Sequence, residues 1–453
     1  MNIKQFYDKP LAHASYALIS EGQMAIVDPG RDPQQYYDYA KASQAEIVAV
    51  FETHPHADFV SSHLEIHKET GATIYVSRKV GADYPHQGFD EGEQLRIGHV
   101  EIKALNTPGH SPDSITIIAT DPAKEEKVAF TGDTLFIGDV GRPDLREEAG
   151  KMRAKRESLA ADMYESIHQK LLKLPDDTLI YPAHGAGSLC GKNMSIETYS
   201  TMGEQRATNW ALQDMSLEVF MKSLLEDQPF VPKYFGYDVD LNKAGAPNFK
   251  EGVHGVNQLA SWQEIPQHSL VIDARNEAEF KAGHLEGAIN IMHTENGKFE
   301  TWIGSLIGPD EKFFIIAADK QQADAVIERT AKIGYELLIA GVAIATDDMP
   351  TTASKVNMEK FANNRGEFTI VDVRNEAEAS NGKYFQNAIV IPLHELRERA
   401  GDIPTDKPIV VHCAAGFRSA AGSSVLMRSY PSAEVLDLGE AIKDFETPEP
   451  VRA

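Results

Sequence analysis

The sequence predicts a multidomain protein of mixed α/β and α+β class, and three observations carry that prediction. Through the first 245 residues, short apolar β-branched runs alternate with turns rich in Gly, Pro and Asp. Four of these runs are followed within a few residues by a histidine or an aspartate. Beyond residue 250 a unit of about 100 residues occurs twice: Val271-Ile272-Asp273-Ala274-Arg275-Asn276-Glu277-Ala278-Glu279-Phe280 returns as Ile370-Val371-Asp372-Val373-Arg374-Asn375-Glu376-Ala377-Glu378-Ala379.

Composition sets the outer limits. At 453 residues the chain is long enough for roughly three domains at about 150 residues each. A net charge of −24 makes a nucleic-acid backbone or an anionic membrane surface an unlike partner. No apolar run approaches the roughly 18–20 residues of a membrane span. Met1-Asn2-Ile3-Lys4-Gln5 lacks an apolar signal core, and Cys190 and Cys413 are the only cysteines, so a reduced, cytoplasmic setting is expected. Each thiol is then a candidate nucleophile.

In chain order, Met24-Ala25-Ile26-Val27 reads as a strand ended by the turn Asp28-Pro29-Gly30. Ile47-Val48-Ala49-Val50-Phe51 is a buried strand that delivers Thr53-His54-Pro55-His56-Ala57-Asp58-Phe59, and a helix over about 60–70 stops at Gly71. Thr73-Ile74-Tyr75-Val76 follows as a strand, then Val100–Leu105, Ser114–Ile118 and Lys127–Phe130. His110 lies past one of these, Asp133 past another, and His184 past Leu179-Ile180-Tyr181-Pro182. Leu159, Met163, Ile167 and Leu171 form the core stripe of a helix over about 159–172. Residues from Glu197 to about Phe235 read as mostly helical, and Gly245-Ala246-Pro247 as a linker. Histidines and carboxylates on loops at one edge of a sheet form a metal-site pattern, open to zinc, iron or manganese.

Taken together, THPHADF, TPGH, TGD and PAHG resemble the metallo-β-lactamase superfamily, which implies an αββα sandwich over residues 1–245. Where the superfamily's HxHxDH pattern ends in histidine, this chain has Phe59, whose ring cannot ligate, so a second metal is disfavoured. That departure resembles the persulfide dioxygenase branch. The resemblance implies one mononuclear Fe(II) held by His54, His110 and Asp133, with zinc as the alternative. His56, Asp58 and His184 are then expected to orient ligands or water. Arg142, in a Gly138–Asp144 segment similar to that branch, is open to two readings, a pair with Asp144 or a contact to substrate. Cys190 is likewise open, as a buried structural thiol or as a residue that handles persulfide.

Each repeat predicts strands and helices around a parallel sheet, placing domains at 250–350 and 355–453. Asp-x-Arg followed by Gly283-His284-Leu285-Glu286-Gly287-Ala288-Ile289-Asn290 resembles a rhodanese domain. In the second repeat the strand Pro408–His412 feeds Cys413-Ala414-Ala415-Gly416-Phe417-Arg418-Ser419, similar to the rhodanese active loop. Its backbone N–H groups, including that of Gly416, and a helix N-terminus near Ser419 favour an anionic sulfur, and Arg418 offers charge to an oxyanion acceptor. Phosphatase loops also join Cys to Arg, but with five residues between them rather than the four found here. The first repeat has no cysteine and reads as a spacer or docking domain.

The combination implies an enzyme that oxidises a low-molecular-weight thiol persulfide (of glutathione, coenzyme A, bacillithiol or cysteine) with O2 to sulfite. Cys413 would carry sulfane sulfur to sulfite, giving thiosulfate. Family likeness also implies a homo-oligomer. A zinc thioesterase of the glyoxalase type fused to a rhodanese, and a non-catalytic persulfide sensor, are the alternatives.

Overall fold

In the computed structural model of the chain, residues 1–145, 155–295 and 297–445 are described. The chain divides into two compact units. One comprises Met1–Gly252 together with Ala331–Gly334; the other comprises Val253–Thr330 and the chain from Tyr335 onward. The expected end of the last domain, at 453, lies outside the described residues.

The first unit holds two six-stranded sheets. Asn2–Asp8 (β1), His13–Ser20 (β2), Gln23–Val27 (β3), Glu46–Phe51 (β4), Thr73–Val76 (β5) and Gln87–Gly88 (β6) lie side by side in sequence order. Gln94–Ile97 (β7), Val100–Asn106 (β8), Ile115–Asp121 (β9), Glu126–Gly132 (β10), Leu179–Pro182 (β11) and Ser200–Thr201 (β12) form the second sheet, again in order. Both are mixed: β1–β3 pair antiparallel and β3–β6 parallel, while β10 pairs antiparallel with β9 and parallel with β11.

Three apolar layers hold this arrangement together. Tyr16, Leu18, Val27 and Phe51 from one sheet meet Ile102, Ile117, Val128 and Phe130 from the other. The outer face of the first sheet buries Ile26 and Val50 against Tyr36 and Ala40 of the helix Gln34–Ala42 and against Ile66. The outer face of the second buries Ile118, Ala129 and Ile180 against Met163, Ile167 and Leu171. Helices thus flank two facing sheets, the αββα sandwich.

The predicted stripe Leu159, Met163, Ile167, Leu171 is buried, but its helix is not uniform. Arg156–Glu165 is α-helical and Ser166–Lys170 continues as a π-turn. The helix expected over about 60–70 begins only at His63 and ends on left-handed Gly71. Residues 60–62 are held out of it: Ser61 N–H donates to Asn242 Oδ1, Ser61 Oγ to Glu52, and Ser62 Oγ to Gly30 O.

The second unit contains the repeat as two four-stranded parallel sheets. Val271–Asp273 (β13), Ile289–Asn290 (β14), Phe313–Ala317 (β15) and Ile339–Ile344 (β16) stand in the order β14-β13-β15-β16. Thr369–Asp372 (β17), Ile389–Val390 (β18), Ile409–His412 (β19) and Val435–Asp437 (β20) repeat it as β18-β17-β19-β20. The Asp-x-Arg signature is a staple in both halves. Arg275 Nη2 bonds Asp273 Oδ2 at 2.6 Å and Gly283 O at 2.7 Å, and Arg374 Nη2 bonds Asp372 Oδ2 at 2.6 Å and Gly382 O at 3.0 Å. The two halves form one compact unit because polar bonds join them: Asn290 N–H to Ser424 Oγ (2.9 Å), Lys281 to Asp437 (2.7 Å), and Arg397 Nη2 to Glu311 Oε1 (2.8 Å).

Candidate active site

The three expected metal ligands, and His184 expected to support them, sit beyond strand ends. His54 follows β4, His110 stands between β8 and β9, Asp133 follows β10, and His184 follows β11. Gly132 allows the close packing this requires. It is left-handed at φ +52°, and a Cβ there would lie 2.5 Å from Thr53 Oγ1.

His54, His110 and Asp133 come together, each fully buried, with one donor atom from each within 4.8 Å of the others. Their neighbours fix which atom faces inward. Thr53 Oγ1 donates to Asp28 Oδ2 (2.8 Å), so at 3.0 Å it accepts the proton of His54 Nδ1 and leaves the Nε2 lone pair free. His110 Nδ1–H donates to Arg142 O at 2.8 Å, with the same consequence. Asp133 Oδ1 accepts from His184 Nδ1 at 2.8 Å, so Oδ2 is the atom turned toward His54 and His110, 3.8 and 3.6 Å from their Nε2 atoms. His54 Nε2 and Asp133 Oδ2 are buried without a hydrogen-bond partner, as atoms meant for a cation are. Burial, together with His56, holds the His54 imidazole well below its usual range and hence neutral. Burial raises Asp133, but His184 and the two facing histidines overcome this and keep it ionised.

Of the residues expected to support the ligands, His184 meets Asp133 and Asp58 meets His184. His184 Nε2 lies 2.8 Å from Asp58 Oδ2, so the ring stands between two carboxylates, and their charge overcomes burial to hold it well above its usual range. Cys190 joins them: Asp58, His184 and Cys190 also bring donor atoms within 4.8 Å of one another. Thus Phe59 removes one donor for a second ion while Cys190 supplies another. Burial, with Asp58 and Asp133, pushes the Cys190 thiol well up, so it is protonated as it stands. The Phe59 ring is buried against His13 and His56, at centroid distances of 3.8 and 4.3 Å. His56 turns toward Asp28 and Glu52 instead of the triad.

Of the two contacts considered for Arg142, the structure contains the pair with Asp144. Its guanidinium is 1% exposed and grips Asp144 through Nε (2.7 Å) and Nη2 (2.6 Å), while Nη1 reaches the carbonyls of Leu189 and Phe230. Its backbone holds His110 on one side and Cys190 on the other, N–H to Cys190 O at 2.8 Å.

In the second unit Cys413 is buried at the end of β19, ahead of the helix Phe417–Ser429. Gly416 N–H donates to its Sγ at 3.1 Å, the cradle contact expected of a sulfur-carrying loop. Gly416 is left-handed at φ +99°, and a Cβ would meet Glu440 N at 3.2 Å. Ser419 Oγ donates to Gly416 O and so braces the loop. Arg418 is not open: both terminal nitrogens bond the Glu378 carboxylate, at 2.5 and 2.8 Å. In the first repeat β15 leads instead into Ala317-Ala318-Asp319-Lys320.

Sequence reasoning missed His13, Asp28, Glu52, His63 and Glu378. Asp28 was readable, since it too stands at the end of a strand, β3, but Asp-Pro-Gly signals a turn equally well. His13 and Glu378 carry no local signal.

The profile of the metallo-beta-lactamase superfamily matches residues 8–184, and that of the rhodanese-like domain matches residues 256–341 and 357–445. A solved metallo-beta-lactamase from Staphylococcus aureus is 33% identical, covering 76% of this chain and 99% of that one, with a TM-score of 0.69. This chain belongs to the metallo-beta-lactamase superfamily. Two rhodanese-like domains follow its superfamily domain. The human mitochondrial persulfide dioxygenase ETHE1 is 33% identical over 171 residues, 38% of this chain and 58% of that protein's length. The hydroxyacylglutathione hydrolase GloC of Haemophilus influenzae is 29% identical over 217 residues, 43% of this chain and 90% of that protein. No helix among the described residues is long and apolar enough to cross a membrane.

Proposed function

We propose that this chain is a mononuclear Fe(II) persulfide dioxygenase joined to a thiosulfate-forming sulfurtransferase. The observation that carries the reading is the set His54, His110 and Asp133: two imidazoles of fixed tautomer and one oriented carboxylate, buried and converging. This is the donor set of non-haem iron oxygenases, which leaves positions open for substrate and O2. Bound iron would supply the meeting point for persulfide and O2 and relay electrons from the sulfane sulfur to O2. The protein's share is to exclude bulk water, to hold the ligand atoms inward through Thr53, Arg142 and His184, and to keep a proton on His184 beside Asp133. In net terms one persulfide, one O2 and one water give the thiol, sulfite and two protons. The sulfane sulfur is oxidised and O2 is reduced.

In the rhodanese loop, Cys413 thiolate attacks the sulfane sulfur of a second persulfide, the thiol leaves, and a cysteine persulfide forms. Sulfite then takes that sulfur as thiosulfate and restores the thiolate. Gly416 N–H stabilises the anionic sulfur in both forms. The substrates on this reading are O2, sulfite and a persulfide of glutathione, coenzyme A, bacillithiol or cysteine.

A second reading, a zinc thioesterase, draws on the likeness to GloC and on the Asp58–His184–Cys190 donors. Anaerobic purification, a metal assay and O2 uptake with glutathione persulfide separate the two. Iron-dependent O2 uptake is expected; zinc with hydrolysis of a glutathione thioester and no O2 uptake would replace the first reading with the second. Cys413→Ser is expected to spare O2 uptake and shift product from thiosulfate to sulfite. Undiminished thiosulfate would remove Cys413 from the transfer.

A further inference from the structure

His56, the second histidine of the heptapeptide, faces away from the triad into a second buried cluster. Its Nε2 lies 3.2 Å from Asp28 Oδ1 and 3.8 Å from Glu52 Oε2, and all three residues offer donor atoms within 4.8 Å of one another. His63 stands on the other side of Glu52, Nδ1 3.4 Å from Oε1. His56 is 0% exposed and His63 1%, yet none of their four ring nitrogens has a hydrogen-bond partner. Buried polar atoms are paired as a rule, and four orphans around two carboxylates call for an occupant.

The spacing fits one. Donors each about 2.0–2.2 Å from a shared ion sit roughly 3–3.6 Å apart. The edges here, 3.2 and 3.8 Å, lie within or just beyond that range, as do the 3.6 and 3.8 Å edges of the His54–His110–Asp133 set. Charge fits as well: two carboxylates and neutral imidazoles balance a divalent cation. Burial, with His56 and Arg31, pushes His63 down to about 3, leaving a neutral ring with a lone pair.

We propose that Asp28, Glu52 and His56, with His63 bracing Glu52 from its other side, form a second divalent-cation site behind the triad. Without a thiolate the donor set suits zinc, manganese or ferrous ions. The ion ties the ends of β3 and β4 to the loop that carries His54, and to Asp28, which fixes the Thr53 hydroxyl against His54. The inference does not depend on the reaction assigned above.

The test is anaerobic titration of metal-free full-length protein with Co(II), counting equivalents retained after gel filtration and following d–d absorption. Glu52→Gln is expected to hold one equivalent fewer than wild type. His110→Ala is expected to lose a spectroscopically different one, and the double variant both. Circular dichroism checks that the variants fold. If Glu52→Gln does not, Asp28→Asn, which keeps one of the two acceptors that Thr53 uses, takes its place. An anomalous difference map from Co(II)-soaked wild-type crystals should show a peak bonded to Asp28, Glu52 and His56. Unchanged stoichiometry in the folded variants, or no peak at that position, would mean that the cluster is a protonated hydrogen-bond network and would overturn the proposal.

Discussion

Adding a single carbon at Gly141 tests whether the triad depends on close backbone packing. A Cβ at this position would lie 2.0 Å from the Asp133 carbonyl oxygen and 2.9 Å from His110 Nδ1. An ordinary carbon–oxygen contact is about 3.3 Å or more, so the chain must open by roughly an ångström. The obstructing atom is backbone, which cannot swing aside as a side chain can. Both residues in the way are proposed ligands, and His110 also gives its Nδ1 proton to Arg142 O, beside the substituted residue. Overpacking should cost about 1–3 kcal/mol of stability, and misplacing a ligand by an ångström about a hundredfold in turnover. The assay compares Gly141→Ala with wild type in thermal melting, iron retained after dialysis against a chelator, and O2 uptake with glutathione persulfide. Gly366→Ala, where a Cβ meets open space, controls for the loss of a glycine. If Gly141→Ala keeps iron and turns over within twofold of wild type, the packing argument for the triad is wrong.

Three other outcomes follow from the same geometry. Phe59→Ala removes a buried ring packed at a tilt against His13 and His56 and should cost about 3–5 kcal/mol in chemical denaturation; a loss under 1 kcal/mol would show the ring to be loosely held. Arg142→Met strands Asp144 and should destabilise by about 3 kcal/mol. It should leave the His110 tautomer intact, because that bond is to backbone; loss of iron from the folded variant would contradict this. For Glu378, the hydrogen bonds from Arg418 lower its pKa against the opposing effect of burial. Its contribution is therefore complete above the unfolded value near 4.3 and is lost as pH falls through the folded one. Glu378→Gln should lower stability by about 1 kcal/mol or less at pH 7, and the gap should close in denaturation curves taken below pH 4; a gap that widens in acid would refute the pairing.

What the sequence made legible was the set of strand ends. Ile47–Phe51, Val128–Phe130 and Leu179–Pro182 are short, β-branched or aromatic, and closed by small or turn-forming residues, so the position of His54, Asp133 and His184 beyond them was readable from local pattern alone. What stayed hidden depends on which side chains meet across the chain. Arg142 could be either a substrate contact or a brace until its guanidinium was seen to be spent on Asp144 and two carbonyls. Arg418 looked free for an oxyanion because nothing in Cys413–Ser419 predicts Glu378, from another helix, as its partner.

Phe59 shows the limit of reading one position at a time. The phenyl ring cannot ligate, and taken alone it argues for a single ion. In three dimensions the missing donor is offset by Cys190, which reaches Asp58 and His184 from far along the chain. The thiol is protonated there, and His184 faces two carboxylates, its Nδ1 hydrogen-bonded to Asp133 Oδ1 and its Nε2 2.8 Å from Asp58 Oδ2. A second ion at that cluster would have to take the protons of the Cys190 thiol and of His184 Nε2, while His184 Nδ1 could still hold Asp133 Oδ1. One ion in the triad leaves all of these bonds in place. The proposed mononuclear centre thus draws less on the absence of a histidine at 59 than on the protons that Cys190 and His184 hold at the second cluster.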